Sequence, residues 1–230
     1  MGMFGYATGI LLRMPKFLGV TLRAGTSQIG TSQIGTTQIE MAQISTAQLE
    51  AVLDQVESVT RKARDLIAGR SLAHLTTSLE STSWSVAQCL DHLALTTTAV
   101  LPAISEAIVR APRLTTNRAL RTGALTRLFL RNLEPPYRLR LRVHSSFVPR
   151  QHHFNSAWDA FEESQAQLKK TMRAAIGLAI DEVIVESPVY ARLSYNVYGA
   201  LRMLAAHERR HLWQIEQILK RLDGVPIRTP

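Results

Sequence analysis

At 230 residues and 46% hydrophobic content, the chain is long enough for one domain with a buried core, plus a tail or insertion. Its single cysteine, Cys89, excludes an internal disulfide and fits a reducing compartment. The net charge of +9 sits in one stretch: residues 110–150 hold ten arginines and one acid, Glu134, while the rest of the chain balances 17 basic against 17 acidic groups.

The first 25 residues are mildly apolar, with Arg13, Lys16 and Arg23 scattered through them. A secretory signal would place its charge ahead of the apolar run and a small-residue cleavage site after it. That order is absent, and no run reaches the roughly 18 apolar residues of a membrane span, so the expected location is cytoplasmic. Residues 26–50 repeat every five positions, with Gln28, Gln33, Gln38, Gln43 and Gln48 each preceding Ile or Leu. A period of five fits neither helix nor strand, and so few units cannot stack into a stable solenoid. Residues 1–45 are therefore expected to be a flexible leader, its last units joining the first helix, with a bundle domain over 46–224.

Helical periodicity then sets in. The spacing of Leu49, Val52, Leu53, Val56, Val59, Ala63, Leu66 and Ile67 predicts a helix over 46–68, stopped by Gly69. A second opens at Ser85, which forms a capping box with Gln88, and buries Val86, Cys89, Leu90 and Leu93. It is expected to run to about Arg110 with a kink at Pro102. A third is predicted over 156–178, with Phe161, Leu168, Met172 and Ile176 inward. The fourth, over 194–222, ends at Gly224 and Pro226. Little in the chain alternates as strands do, so the expected fold is all-α, a four-helix bundle.

The fourth helix carries the chemistry. Its stripe of Leu201, Leu204, Ile215, Ile218 and Leu222 is interrupted by Glu208 and His211, with His207 alongside. A carboxylate and an imidazole facing a core are costly unless something pairs them. His207 and His211 stand four residues apart, about 6 Å along a helix and on one face, where both can reach one metal ion. The residues spell H-E-x-x-H, a zinc-protease signature, but Gln214 and Gln217 stand where the extended protease pattern needs Gly and His, and no suitably placed carboxylate follows downstream. A zinc protease is not expected. Among the other histidines, His74, His92, His144, His152 and His153, only His92 falls inside a firm helical pattern. It offers a third imidazole from a second helix, although taken alone it reads equally well as a hydrogen-bonded core histidine.

The run Trp84-Ser85…Leu90-x-His92-Leu93, followed by His207-x-x-x-His211-x-x-Gln214, resembles the DinB/YfiT-like superfamily, as does the proline-marked EPPYRLRLRV between the second and third helices. The resemblance spans about residues 46–224. It implies a four-helix bundle with unusual crossovers, commonly dimeric, and a divalent metal (nickel, zinc or iron) held by His92, His207 and His211. It also implies kinship with thiol-dependent enzymes, namely S-transferases using low-molecular-weight thiols and maleylpyruvate isomerases. A small-molecule thiol and an electrophile would then be the substrates, with the metal activating thiol or water. Glu208 is a candidate to orient an imidazole, or else a structural group paired with nearby arginines, and Gln214 is a candidate hydrogen-bond partner near the site. Cys89 reads as a buried, inert thiol.

The connection over 111–153 is too long for an ordinary loop. A short helix over 117–133 is expected, with Leu120, Ala124, Leu125, Leu128 and Phe129 on one side and arginines around it. The segment either caps the bundle with solvated charge, or binds an anionic thiol or carboxylated substrate, with Arg138, Arg140 and Arg142 as the anion-binding candidates. Contact with membrane lipid or nucleic acid is less favoured. The rival to an enzyme is a non-catalytic bundle protein, its metal structural or absent, whose arginine-rich segment binds an acidic partner.

Overall fold

The computed structural model describes residues 43–134, 137, 143–150, 153–188 and 193–224. Four long helices dominate: α1 (Gln43–Ile67), α3 (Val86–Val109), α5 (Phe154–Ala174) and α6 (Val197–Leu222). Shorter elements join them: α2 (Leu72–Thr76), α4 (Ala124–Leu133), a 3-10 turn (Ser145–Phe147), and the strands β1 (Ile184–Glu186) and β2 (Ser194–Asn196). α1 and α3 each pack against both α5 and α6, so α1 and α3 occupy opposite corners of a four-helix bundle. The chain therefore crosses the bundle diagonally from α1 to α3 and again from α5 to α6.

Local chemistry sets most of the helix ends. The Ser85 side chain accepts from the Gln88 amide at 3.2 Å, and Gln88 Oε1 accepts from the Ser85 amide at 2.9 Å, closing the expected capping box at the start of α3. Gly69 and Gly224 follow α1 and α6 with φ of 70° and 71°, the left-handed conformation in which glycine carries no steric penalty. Asn196 caps α6 by accepting from Gly199, while its Nδ2 donates to the carbonyls of Arg121 and Asp181. That one side chain fastens the start of α6 to the basic connection.

Two apolar clusters fill the bundle. One, built around Val56, Ile104, Leu168, Met172 and Leu201, lies toward the β1–β2 hairpin. The other, around Val59, Leu90, Leu93, Phe161 and Ile215, surrounds the N-terminal half of α3. α3 is long and apolar enough to cross a membrane by length and composition, but here it is the core helix of the bundle, with Val86, Leu90, Leu93 and Ile104 buried.

α3 continues through Pro102 to Val109, close to its expected end at Arg110. Other expectations need correction. α5 begins at Phe154 and stops at Ala174, because Gly177 turns the chain with a φ of 79°, and Ile176 is 40% exposed rather than inward. The helix of the basic connection covers Ala124–Leu133 only, and it turns Thr126, Leu130 and Leu133 to the bundle while Leu125, Leu128 and Phe129 face outward. The hairpin, Ile184 opposite Asn196 and Glu186 opposite Ser194, was not expected. The repeat enters α1 from Gln43 onward, with Ser45 and Leu49 already buried; the remainder of the leader lies outside the described residues.

Candidate metal centre

His92 closes the second turn of α3, while His207 and His211 stand one turn apart on the facing side of α6. Their ligand atoms all lie within 4.8 Å of one another. His92 Nε2 and His207 Nε2 are 3.2 Å apart. Two nitrogens each about 2.1 Å from a common ion stand roughly 3.0–3.4 Å apart, so this spacing fits shared coordination.

The opposite ring nitrogens explain why the three converge. His92 Nδ1 lies 2.7 Å from the carbonyl oxygen of Phe147, in the 3-10 turn. A carbonyl only accepts, so Nδ1 carries the proton and Nε2 presents a lone pair to its neighbours. His211 Nδ1 lies 3.0 Å from Gln214 Oε1, which fixes the same tautomer when the amide oxygen is the accepting atom. The turn bearing Phe147 is itself tied down: Asp91, next to His92 on α3, accepts from the Arg150 amide at 2.7 Å. Trp84 walls the cluster, its ring 4.7 Å from that of His92 and 5.9 Å from that of His211.

The electrostatics favour neutral imidazoles. Burial lowers the proton affinity of His92, against a smaller opposing pull from the Phe147 carbonyl and Asp91. Burial, then the neighbouring His92 and Arg210, brings His207 down to about 3. His211 is held well below the ordinary histidine value by burial and by its two partners. Neutral imidazole is the form that binds metal. His92 and His211 are 3% and 8% exposed, whereas His207 keeps partial exposure, so the cluster meets solvent at His207. The half-buried Arg210 stands on that side, donating to the Asn132 carbonyl and stacking over the Tyr137 ring at 5.1 Å, and Tyr137 in turn packs on Trp213.

Glu208 is placed differently. It is wholly buried, and its only hydrogen bond among the described residues is accepted from Gln165 Nε2 of α5 at 2.7 Å; Oε2 has no partner there. Thr60 of α1 donates to Gln165 Oε1 at 3.3 Å, which makes a polar plug across the bundle from three helices. Burial pushes the Glu208 carboxyl up to about 8. Among the described residues it bonds no imidazole and pairs with no arginine: the adjacent Arg209 is bonded to Glu134 and Gln55. Cys89 is fully buried, and burial raises its thiol far above the usual range. The remaining described histidines stand apart, His74 facing Asp223, His144 capping the 3-10 turn and His153 exposed before α5. Arg138, Arg140, Arg142 and His152 lie outside the described residues.

Sequence reasoning did not find Phe147, Asp91 or Gln165. A backbone carbonyl leaves no residue-type signal, so Phe147 was not discoverable. Asp91 beside His92, and Gln165 on the buried stripe between Phe161 and Leu168, were both readable.

No curated protein matches the chain. Among solved structures, YfiT from Bacillus subtilis, described as a probable metal-dependent hydrolase with an unusual four-helix bundle topology, aligns over 80% of this chain and 91% of its own. The two share 15% identity with a TM-score of 0.52, which is a likeness of fold. The model of the DinB superfamily matches residues 44–215, well over half of the length. The chain belongs to the DinB superfamily.

Proposed function

We propose that this protein is a metal-dependent enzyme that uses a three-histidine divalent centre to activate a thiol or a water molecule for attack on an electrophilic small molecule. The observation that carries the reading is the convergence of His92, His207 and His211 within 4.8 Å, with the far nitrogens of His92 and His211 each held by an oxygen. Three neutral donors leave a bound cation its full charge, and such a charge lowers the pKa of a coordinated thiol or water toward neutrality. The chain's own groups do the rest. The Phe147 carbonyl and Gln214 keep the imidazole lone pairs aimed inward, Trp84 covers one wall, and a ligand would approach on the side of the partly exposed His207, near the Arg210 charge. The described cluster contains three donors, and an open position is what separates a catalytic site from a closed structural one.

Thiol transfer is favoured over hydrolysis by family resemblance, while the fold neighbour's description favours hydrolysis. The test loads the purified protein with nickel, zinc or ferrous iron and supplies electrophiles with and without low-molecular-weight thiols. Thiol consumption that requires metal and disappears in His207→Ala supports the transferase. Metal-dependent turnover without thiol supports the hydrolase. Metal binding with neither activity would overturn the enzyme reading in favour of a structural centre.

A further inference from the structure

The basic connection reaches the metal centre through the Phe147 carbonyl, but α4 within it holds none of the three imidazoles and has an unusual surface. Its inner face, Thr126, Leu130 and Leu133, packs on α6 at Ala206 and Met203. Its outer face presents Leu125 and Leu128, each 57% exposed, and Phe129, 39% exposed, as neighbours on one side of a ten-residue helix. Scattered single apolar residues need no explanation, but adjacent large ones on one helix face do.

Charge decides what covers them. Arg127 and Arg131 flank the strip on the same helix, and Arg121 precedes it; all three are exposed. Among the described residues no carboxylate lies within ion-pair distance of these three guanidinium groups, whereas Arg110 is held by Glu106 and Arg118 by Asp181 and Glu182. Glu134, the single acid of the connection, is taken by Arg209 of α6. A second copy docking through this strip would bring two sets of arginines together with no acid between them. Nucleic acid would use the arginines but not the aliphatic side chains. An anionic bilayer surface satisfies both halves: apolar side chains enter the headgroup boundary, and arginines extend to lipid phosphates.

We propose that the outer face of α4 is a peripheral docking surface for anionic phospholipid, built from Leu125, Leu128 and Phe129 with Arg121, Arg127 and Arg131 as its cationic rim. The surface would hold the metal centre at a membrane, where apolar electrophiles accumulate. The experiment is co-sedimentation of the full chain with vesicles of phosphatidylcholine alone, or of phosphatidylcholine mixed with phosphatidylglycerol. The wild type is expected to sediment with the anionic vesicles only, and added salt to release it. Leu128→Glu/Phe129→Glu is expected to weaken that binding about tenfold or more, with unchanged helical circular dichroism because both side chains are exposed. Arg127→Gln/Arg131→Gln, which leaves the apolar strip intact, is expected to weaken it as well. Undiminished vesicle binding by the Leu128→Glu/Phe129→Glu variant would overturn the proposal, since binding would then lie elsewhere in the chain. So would equal binding to neutral vesicles, tight binding to duplex DNA in place of vesicles, or a dimer that this variant dissociates while the wild type ignores lipid.

Discussion

Substituting Gln165 by Leu probes the polar plug at the centre of the bundle. Gln165 is 1% exposed and supplies the one hydrogen bond to Glu208, which is itself 0% exposed. Since Oε2 of Glu208 already lacks a partner among the described residues, Gln165→Leu leaves the whole carboxyl group unsatisfied in the core. Stranding a buried polar group costs about 1–3 kcal/mol. Thr60 loses little, because its one hydroxyl proton has the Val56 carbonyl at 3.1 Å as an alternative acceptor. Leu is close to Gln in size, so the cavity contribution is small and the expected loss is about 2 kcal/mol, a factor of about 30 in the folding equilibrium. Adding Glu208→Leu removes the stranded group, and the double variant is expected within about 1 kcal/mol of wild type. The assay is urea unfolding followed by circular dichroism, with chelator present so that metal binding adds no linked stability. A neutral Gln165→Leu, or a double variant as unstable as the sum of the two singles, would refute the reasoning.

Gln214→Leu removes the acceptor at His211 Nδ1, and metal affinity measured by competition with a chromophoric chelator is expected to fall about 10–100-fold with the fold intact. Gly199→Ala places a Cβ 2.9 Å from Asn196 Oδ1 and 3.0 Å from Thr126 Cγ2, so thermal or urea unfolding is expected to show a loss of about 1–3 kcal/mol. Burial alone would raise the Asp181 carboxyl, but the Arg118 guanidinium and the Arg121 amide outweigh it and hold it below its ordinary 3.8. A carboxyl lowered in the folded state stabilises fully above its unfolded pKa and loses that contribution as pH falls through the folded value. Asp181→Asn is therefore expected to unfold more easily than wild type at neutral pH, and the difference to shrink in urea titrations as the pH is carried progressively below 3.8.

What the sequence made legible follows from the reach of each signal. The Ser85–Gln88 capping box and the glycine stops at 69 and 224 are local chemistry, and all three formed. The i, i+3, i+4 stripe of α1 places Leu49, Val52, Val56, Val59 and Ala63 in the core, because tertiary burial there follows helical period. The hairpin escaped because strands of three residues, Ile184–Glu186 and Ser194–Asn196, carry too little alternation to stand out. α4 shows a different limit. Its pattern identified an apolar face, but Leu130 and Leu133 on the other side proved to be the packed ones, since periodicity tells which residues share a face and not which face meets the bundle. In the site, His207 and His211 were legible because one helix sets their spacing, whereas His92, on another helix, joined them only through the family resemblance; the structure brings the three together. Glu208 was visible as an anomaly on an apolar stripe, yet its partner Gln165 comes from a helix 43 positions away in sequence, beyond any local pattern.

The central claim, a divalent centre on three imidazoles, is tested most directly by elemental analysis of protein purified without chelator and without an affinity tag, beside His92→Ala, His207→Ala and His211→Ala. The account predicts about one equivalent of nickel, zinc or iron per chain, set by a single three-donor site, and its loss in each of the three variants. Wild-type protein that carries no metal and takes up neither zinc nor nickel when offered, or variants that retain a full equivalent, would contradict it.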